Sequence, residues 1–156
     1  GDLYQWGRSK DGHQCRTSST VLSTNSTDDV PGHADKYGIT IIPYDWRSTR
    51  NEDLWQGANG INNPCPSGYR LPTQTELDDE RASWGTDNAA GAFGSVLKLT
   101  VAGYTVYTTG ALTQVGSRGS YWSSTANTYK MLIESGSASV TTQQRAVASS
   151  VRCIRD

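Results

Sequence analysis

The chain has 156 residues, enough for one domain with its own core, and hydrophobic residues make up 35% of it, below the roughly 45–50% usual in globular domains when glycine is counted. Its formal charge is −1 and its pI is near 6.1; with no basic run, binding to nucleic acid loses its electrostatic basis. No apolar stretch approaches the ~20 residues of a membrane span, so membrane insertion is not expected either. Five Trp and eight Tyr stand beside one Phe and one Met, which gives much of the apolar burial to rings with polar handles.

Residues 1–10 carry Tyr4 and Trp6 in a short strand or turn. Residues 11–36 are polar and turn-rich and read as a long surface loop with at most one strand turn. Ile39 to Pro43 looks like a strand, and Asn59 to Pro66 is a run of turn formers. Thr73 is the N-cap of the one good helix. Glu76 completes a capping box, and glycine stops the helix near Trp84-Gly85. Leu71 and Leu77 are expected to staple its start against the core. A second apolar cluster covers Ala89, Ala90, Ala92, Phe93, Val96, Leu97 and Leu99. Residues 101–107 alternate like a strand. A turn at 116–119 leads to a strand that begins at Tyr121. Lys130 to Glu134 and Ser137 to Thr142 form a hairpin about Ser135-Gly136. A last strand runs from Ser149 to Ile154, and there is no long-period repeat.

The candidate chemistry is thin. His13, Cys15, His33 and Asp35 lie close in sequence, but their spacing fits no zinc pattern, and solvated loop histidines are the simpler reading. A Cys15–His13 nucleophile lacks a positioned third group. Asp78, Asp79 and Glu80 read as a solvated helix face. Asp28-Asp29 lacks the spacing of a calcium loop, though calcium stays open. Asn25-Ser26-Thr27 fits the N-glycosylation pattern. The tryptophans read as core, with a sugar-stacking platform as the alternative. Cys15, Cys65 and Cys153 are odd in number, so at least one is unpaired within the chain. A Cys65–Cys153 bridge would close a loop of nearly ninety residues, worth about 4–5 kcal/mol in the loop-entropy model, and would imply an oxidising compartment. The alternative is three free thiols. Residues 120–150 are rich in Ser, Thr, Ala, Gln and Tyr, which suits an adaptable recognition face or an ordinary polar surface equally.

Several segments together carry a resemblance. They are Gly-Asp-Leu-Tyr-Gln-Trp-Gly-Arg at 1–8, Asp-Gly-His-Gln at 11–14, Asp-Trp-Arg at 45–47, Asn-Pro-Cys-Pro-Ser-Gly-Tyr-Arg-Leu-Pro-Thr at 63–73, Gly-Ser-Tyr-Trp-Ser-Ser-Thr at 119–125 and Ser-Val-Arg-Cys-Ile-Arg-Asp at 150–156. Over essentially its whole length the chain resembles the Fibrobacter succinogenes major paralogous domain family. That family is similar to the C-type-lectin-like fold of formylglycine-generating enzymes and of the variable proteins of diversity-generating retroelements. The resemblance implies an α+β, C-type-lectin-like fold: one main helix, short twisted antiparallel strands and long loops, in a single domain over residues 1–156. The family's strand upstream of Gly-Asp-Leu-Tyr is absent and the chain opens at Gly1, so it reads as a piece of a longer protein.

By the same resemblance Trp122 and Val151 are core and Cys65 pairs with Cys153. The implied ligand contacts are Tyr121, Asn127, Tyr129, Lys130, Met131, Ile133, Glu134, Thr141, Gln143, Gln144 and Val147. The enzymes of that fold use reactive cysteines late in their sequence; here only Cys153 lies late, and the implied bridge accounts for it, so no catalysis and no cofactor are expected. The expected function is an extracellular ligand-binding or adhesion module on a cell surface or virion, meeting a protein or a glycan. The alternative is a structural subunit or decoration of a filament or phage fibre, contacting neighbouring subunits.

Overall fold

The computed structural model describes residues 1–18, 20–40 and 42–156. The described residues form a mixed α+β protein of many short strands and two helices. The strands are β1 (Tyr4–Gln5), β2 (Val21–Leu22), β3 (Lys36–Tyr37), β4 (Tyr69–Arg70), β5 (Tyr104–Thr105), β6 (Leu112–Thr113), β7 (Arg118–Trp122), β8 (Tyr129–Glu134), β9 (Ala138–Thr142), β10 (Ala148–Ser149) and β11 (Ile154–Arg155). The helices are α1 (Gln74–Ala82) and α2 (Ala89–Gly94). The longest strands form an antiparallel sheet in the order β7-β8-β9. A second sheet runs β1-β10-β5-β6, β11 pairs with β4, and β2 pairs in parallel with β3.

With so little regular structure, side chains take over much of the backbone hydrogen bonding. Trp6, Trp46, Trp55 and Trp122 are each 0% exposed. Each indole N–H donates to a main-chain carbonyl: Trp6 to Ser123 at 2.8 Å, Trp46 to Trp6 at 2.6 Å, Trp55 to Asn62 at 2.9 Å and Trp122 to Tyr4 at 2.7 Å. The rings fill the core while their polar ends satisfy loops that no ladder reaches. Three clusters result. Trp6, Trp55, Leu71 and Trp122 form one, Tyr37, Trp46 and Leu54 another, and Leu77, Leu99, Tyr121, Met131 and Ile133 the third. The buried guanidinium of Arg145 lies 4.0 Å from the centre of the Trp6 ring and faces Asp45 at 3.3 Å.

Helix α1 forms as its sequence dictates. Thr73 Oγ1 accepts from the Glu76 N–H at 3.2 Å, and the Glu76 carboxylate accepts from the Thr73 N–H at 2.7 Å. Arg70 of β4 grips the same carboxylate at 2.7 Å, which holds it at a pKa of about 2. Leu71 and Leu77 are both buried and hold the helix start against the core as expected, Leu71 in the tryptophan cluster and Leu77 in the sheet cluster. The apolar cluster at 89–99 becomes α2, capped by the Asn88 side chain on the Ala90 and Gly91 N–H groups. So short a helix buries one face only. Ala92 and Leu99 are interior, whereas Phe93 is 59% and Val96 87% exposed.

Other sequence expectations need correction. Residues 11–36 are not a plain surface loop: they contain β2, lead into β3 at Lys36, and bury His13 and Gln14. Of the strand expected at 39–43, Ile41 lies outside the described residues. Ile39 turns into the core beside Tyr37 and Trp46, Ile42 is exposed, and Pro43 has no N–H to offer a ladder. Pairing of Arg118 with Glu134 starts β7 three residues earlier than expected, and the strand ends rather than begins near Tyr121. Gly119 sits where an added Cβ would lie 2.8 Å from the Thr100 carbonyl oxygen, which explains glycine inside a strand. The closing strand is divided: Ala148–Ser149 pairs with β1 and β5, and Ile154–Arg155 with β4. Val151, expected in the core, is only half-buried against the tryptophan cluster.

Candidate recognition face

The β7-β8-β9 sheet has two unlike faces, because successive side chains on a strand point to opposite sides. Tyr121, Met131 and Ile133 point to the helix side, where they pack with Leu77 of α1, Ala92 of α2 and Leu99. The Tyr121 hydroxyl donates to the Thr100 carbonyl and accepts from the Thr100 N–H, both at 2.8 Å.

The opposite row holds Arg118, Ser120 and Trp122 on β7, Lys130, Leu132 and Glu134 on β8, and Ser139 and Thr141 on β9, by the observed register. One end of it is closed over. Trp122 enters the core and the Ser120 hydroxyl meets that of Ser149 at 2.9 Å. The other end is open. There the Arg118 guanidinium donates to Glu134 at 2.5 Å and lies 5.9 Å from the centre of the Tyr104 ring. Leu132 and Thr141 are half-exposed beside them, and Ser139 is exposed.

The structure divides the eleven expected contacts. Asn127 and Gln144 are exposed, while Tyr129, Glu134, Thr141 and Gln143 are half-exposed. Tyr121, Lys130, Met131, Ile133 and Val147 are all buried, against expectation. For Tyr121, Met131 and Ile133 the reason is the strand period of two, whereas Val147 lies outside the sheet, next to β10. A contact set drawn from both parities of β8 must send half of its members inward. Lys130 lies on the outer row yet only 7% of it is accessible. Its amine donates to the Gln143 carboxamide oxygen, and Gln143 in turn donates to Ser149 at 3.1 Å. Burial pushes that amine down to about 8, the Arg118 charge adds to the shift, and Glu134 opposes it. Lys130 is thus the floor of the face. Arg118, Leu132 and Ser139 were missed in the sequence. The pairing register reveals them, whereas the unbroken apolar run Met131-Leu132-Ile133 conceals which residue points outward.

The remaining candidates fall into structural roles. His13 is fully buried rather than solvated: its Nε2 accepts from the Gln5 N–H at 3.1 Å, which places its proton on Nδ1, 2.5 Å from the Asp11 carboxylate. The Asp29 carboxylate is held by Arg47 and by Asn51 at 3.0 Å. Asn25 donates its amide to the Asp45 and Arg47 carbonyls, which occupies the nitrogen a glycan would need. Among the described residues no three His, Cys, Asp or Glu side chains are placed to hold a metal ion. Cys65 and Cys153 are bonded, with sulfurs 2.01 Å apart and a sequence separation of 88. Cys15 is free and exposed.

No family model matches the chain, and neither a curated protein nor a solved structure matches it.

Proposed function

We propose that the chain is a C-type-lectin-like binding or adhesion module of the paralogous-domain family it resembles. It works outside the cell, and it meets a protein or glycan through the open face of β7-β8-β9. One observation carries this reading. The inner row of that sheet is sealed against two helices, so Leu132, Ser139 and Thr141, with the Arg118–Glu134 pair at their edge, can be exchanged without entering the core. A half-exposed leucine ringed by small hydroxyls and one fixed ion pair offers apolar contact at the centre and orientation at the rim. The Cys65–Cys153 bridge supports the extracellular setting, where disulfides persist.

The test is an array of surface proteins and glycans, read with the wild-type chain and with the Leu132→Asp/Thr141→Lys double variant. Wild-type protein captures a ligand. The variant binds it at least about tenfold more weakly, with a melting temperature within about 2 °C. Wild-type binding by the variant would place recognition elsewhere.

A further inference from the structure

On the helix side of the sheet, between the end of α1 and the body of α2, lies an open groove of about 600 Å³. Its large ring is Trp84. Of the five tryptophans it alone is half-buried; the other four are sealed in the core. The Trp84 N–H donates to the Glu80 carboxylate at 3.1 Å. That bond fixes the ring and leaves its π face as what it can offer. Gly85, Gly91 and Gly94 line the space; a Cβ at Gly85 or Gly94 would meet nothing within 4 Å, whereas at Gly91 it would clash with the Thr86 carbonyl oxygen.

The hydroxyls of the groove are spent as donors. Ser83 donates to the Glu80 carbonyl at 2.6 Å, Ser95 to the Ala92 carbonyl at 3.0 Å, and Thr86 to the Asn88 carboxamide oxygen at 3.1 Å. Ser95 also accepts from the Leu97 N–H at 3.2 Å, and what the hydroxyls retain toward a ligand are the remaining oxygen lone pairs. Val96, 87% exposed, adds an apolar rim. Among the described residues, no charged side chain lines the groove.

These features define a complement. It is neutral, because nothing in the groove would balance a charge. It has an apolar face to lie on an indole. It is rich in hydroxyl protons, because the groove offers acceptors; a purely apolar ligand would bury those acceptors unpaired, which is costly. A pyranose ring meets all three conditions, with its C–H face against the negative face of the aromatic system and its hydroxyls donating outward. The volume, in the middle of the usual range for small-ligand sites, suits one or two such rings.

We infer that this groove is a carbohydrate subsite for one or two neutral hexose units, one of them stacked on Trp84. It shares no residue with the open face of β7-β8-β9, so either can fail while the other stands.

Trp84 reports directly on its own site. Tryptophan emission is titrated with glucose, galactose, mannose, N-acetylglucosamine and their disaccharides up to about 100 mM, and a saturable change is expected with a dissociation constant on the order of 1 mM. Trp84→Phe weakens binding several-fold, followed by calorimetry. Because Trp84 also packs on the core, the decisive variant is Gly94→Leu. Gly94 lines the groove and a Cβ there meets nothing within 4 Å, so the leucine adds bulk at the groove with no clash at its Cβ. It should weaken binding at least about tenfold with no loss of melting temperature. The Leu132→Asp/Thr141→Lys variant should bind sugar as the wild type does. Overturning results are no saturable response to any neutral sugar, wild-type affinity in Gly94→Leu, or loss of sugar binding in the sheet variant.

Discussion

His13 shows how a polar residue becomes core. Its ring is completely buried, Gln5 donates to one nitrogen, and the N–H of the other donates to the Asp11 carboxylate. Burial, with the nearby charges of Arg8 and Lys36, pushes its pKa from 6.5 down to about 4, while Asp11 acts the other way. The folded ring is therefore neutral where the unfolded ring binds a proton. Stability from this group is fully present above pH 6.5 and is lost as pH falls through about 4, up to about 3 kcal/mol. The Asp11 carboxyl, which burial would raise but which His13 and Arg8 hold below its usual range, adds a loss of the same sign at lower pH. Urea unfolding between pH 7 and pH 4 should show the midpoint falling, and His13→Gln should flatten that slope. A flat wild-type profile would contradict the buried neutral ring. None of this was legible in the sequence. His13 stands in a polar run without apolar periodicity, and it is buried by partners that are themselves polar.

Elements differ in how far local chemistry defines them. The start of α1 was legible because its N-cap and its capping box lie within four residues, whereas the helix closes at Ala82 with Ser83 as its C-cap, before the glycine expected to stop it. The hairpin of β8 and β9 was legible from Ser135-Gly136. Strand β7 was not, since its start depends on Arg118 meeting Glu134 across the sheet, a contact sixteen residues away in sequence. The candidate face was half legible for the same reason. Composition leaves the segment equally an adaptable recognition face or an ordinary polar surface, and only the register assigns Met131 and Ile133 to the core and Leu132 to the outside. That division has a measurable consequence. Ile133→Ala should cost about 3 kcal/mol by opening a cavity, and Thr141→Ala less than about 0.5 kcal/mol, both by denaturant unfolding. Equal costs would mean that the two rows are not distinct.

Across the whole molecule, a chain poor in aliphatic residues and in regular ladders stays folded by two devices. Four buried indoles cement loops through their N–H groups. One disulfide ties residue 65 to the last strands and removes about 4–5 kcal/mol of loop entropy from the unfolded chain in the entropic model. Composition foretold the aromatic core. The division into three clusters, with Arg145 buried against the Trp6 ring and Arg8 against the Tyr37 and Trp46 rings, depends on contacts between distant segments and has no local signature. The proposed recognition role requires that the open face of β7-β8-β9 carry little of this stability. The most direct measurement is thermal unfolding of a chain carrying Leu132→Thr, Ser139→Lys and Thr141→Arg together. A separable face leaves the midpoint within about 3 °C of the wild type. A fall of more than about 10 °C would show that the face is part of the frame.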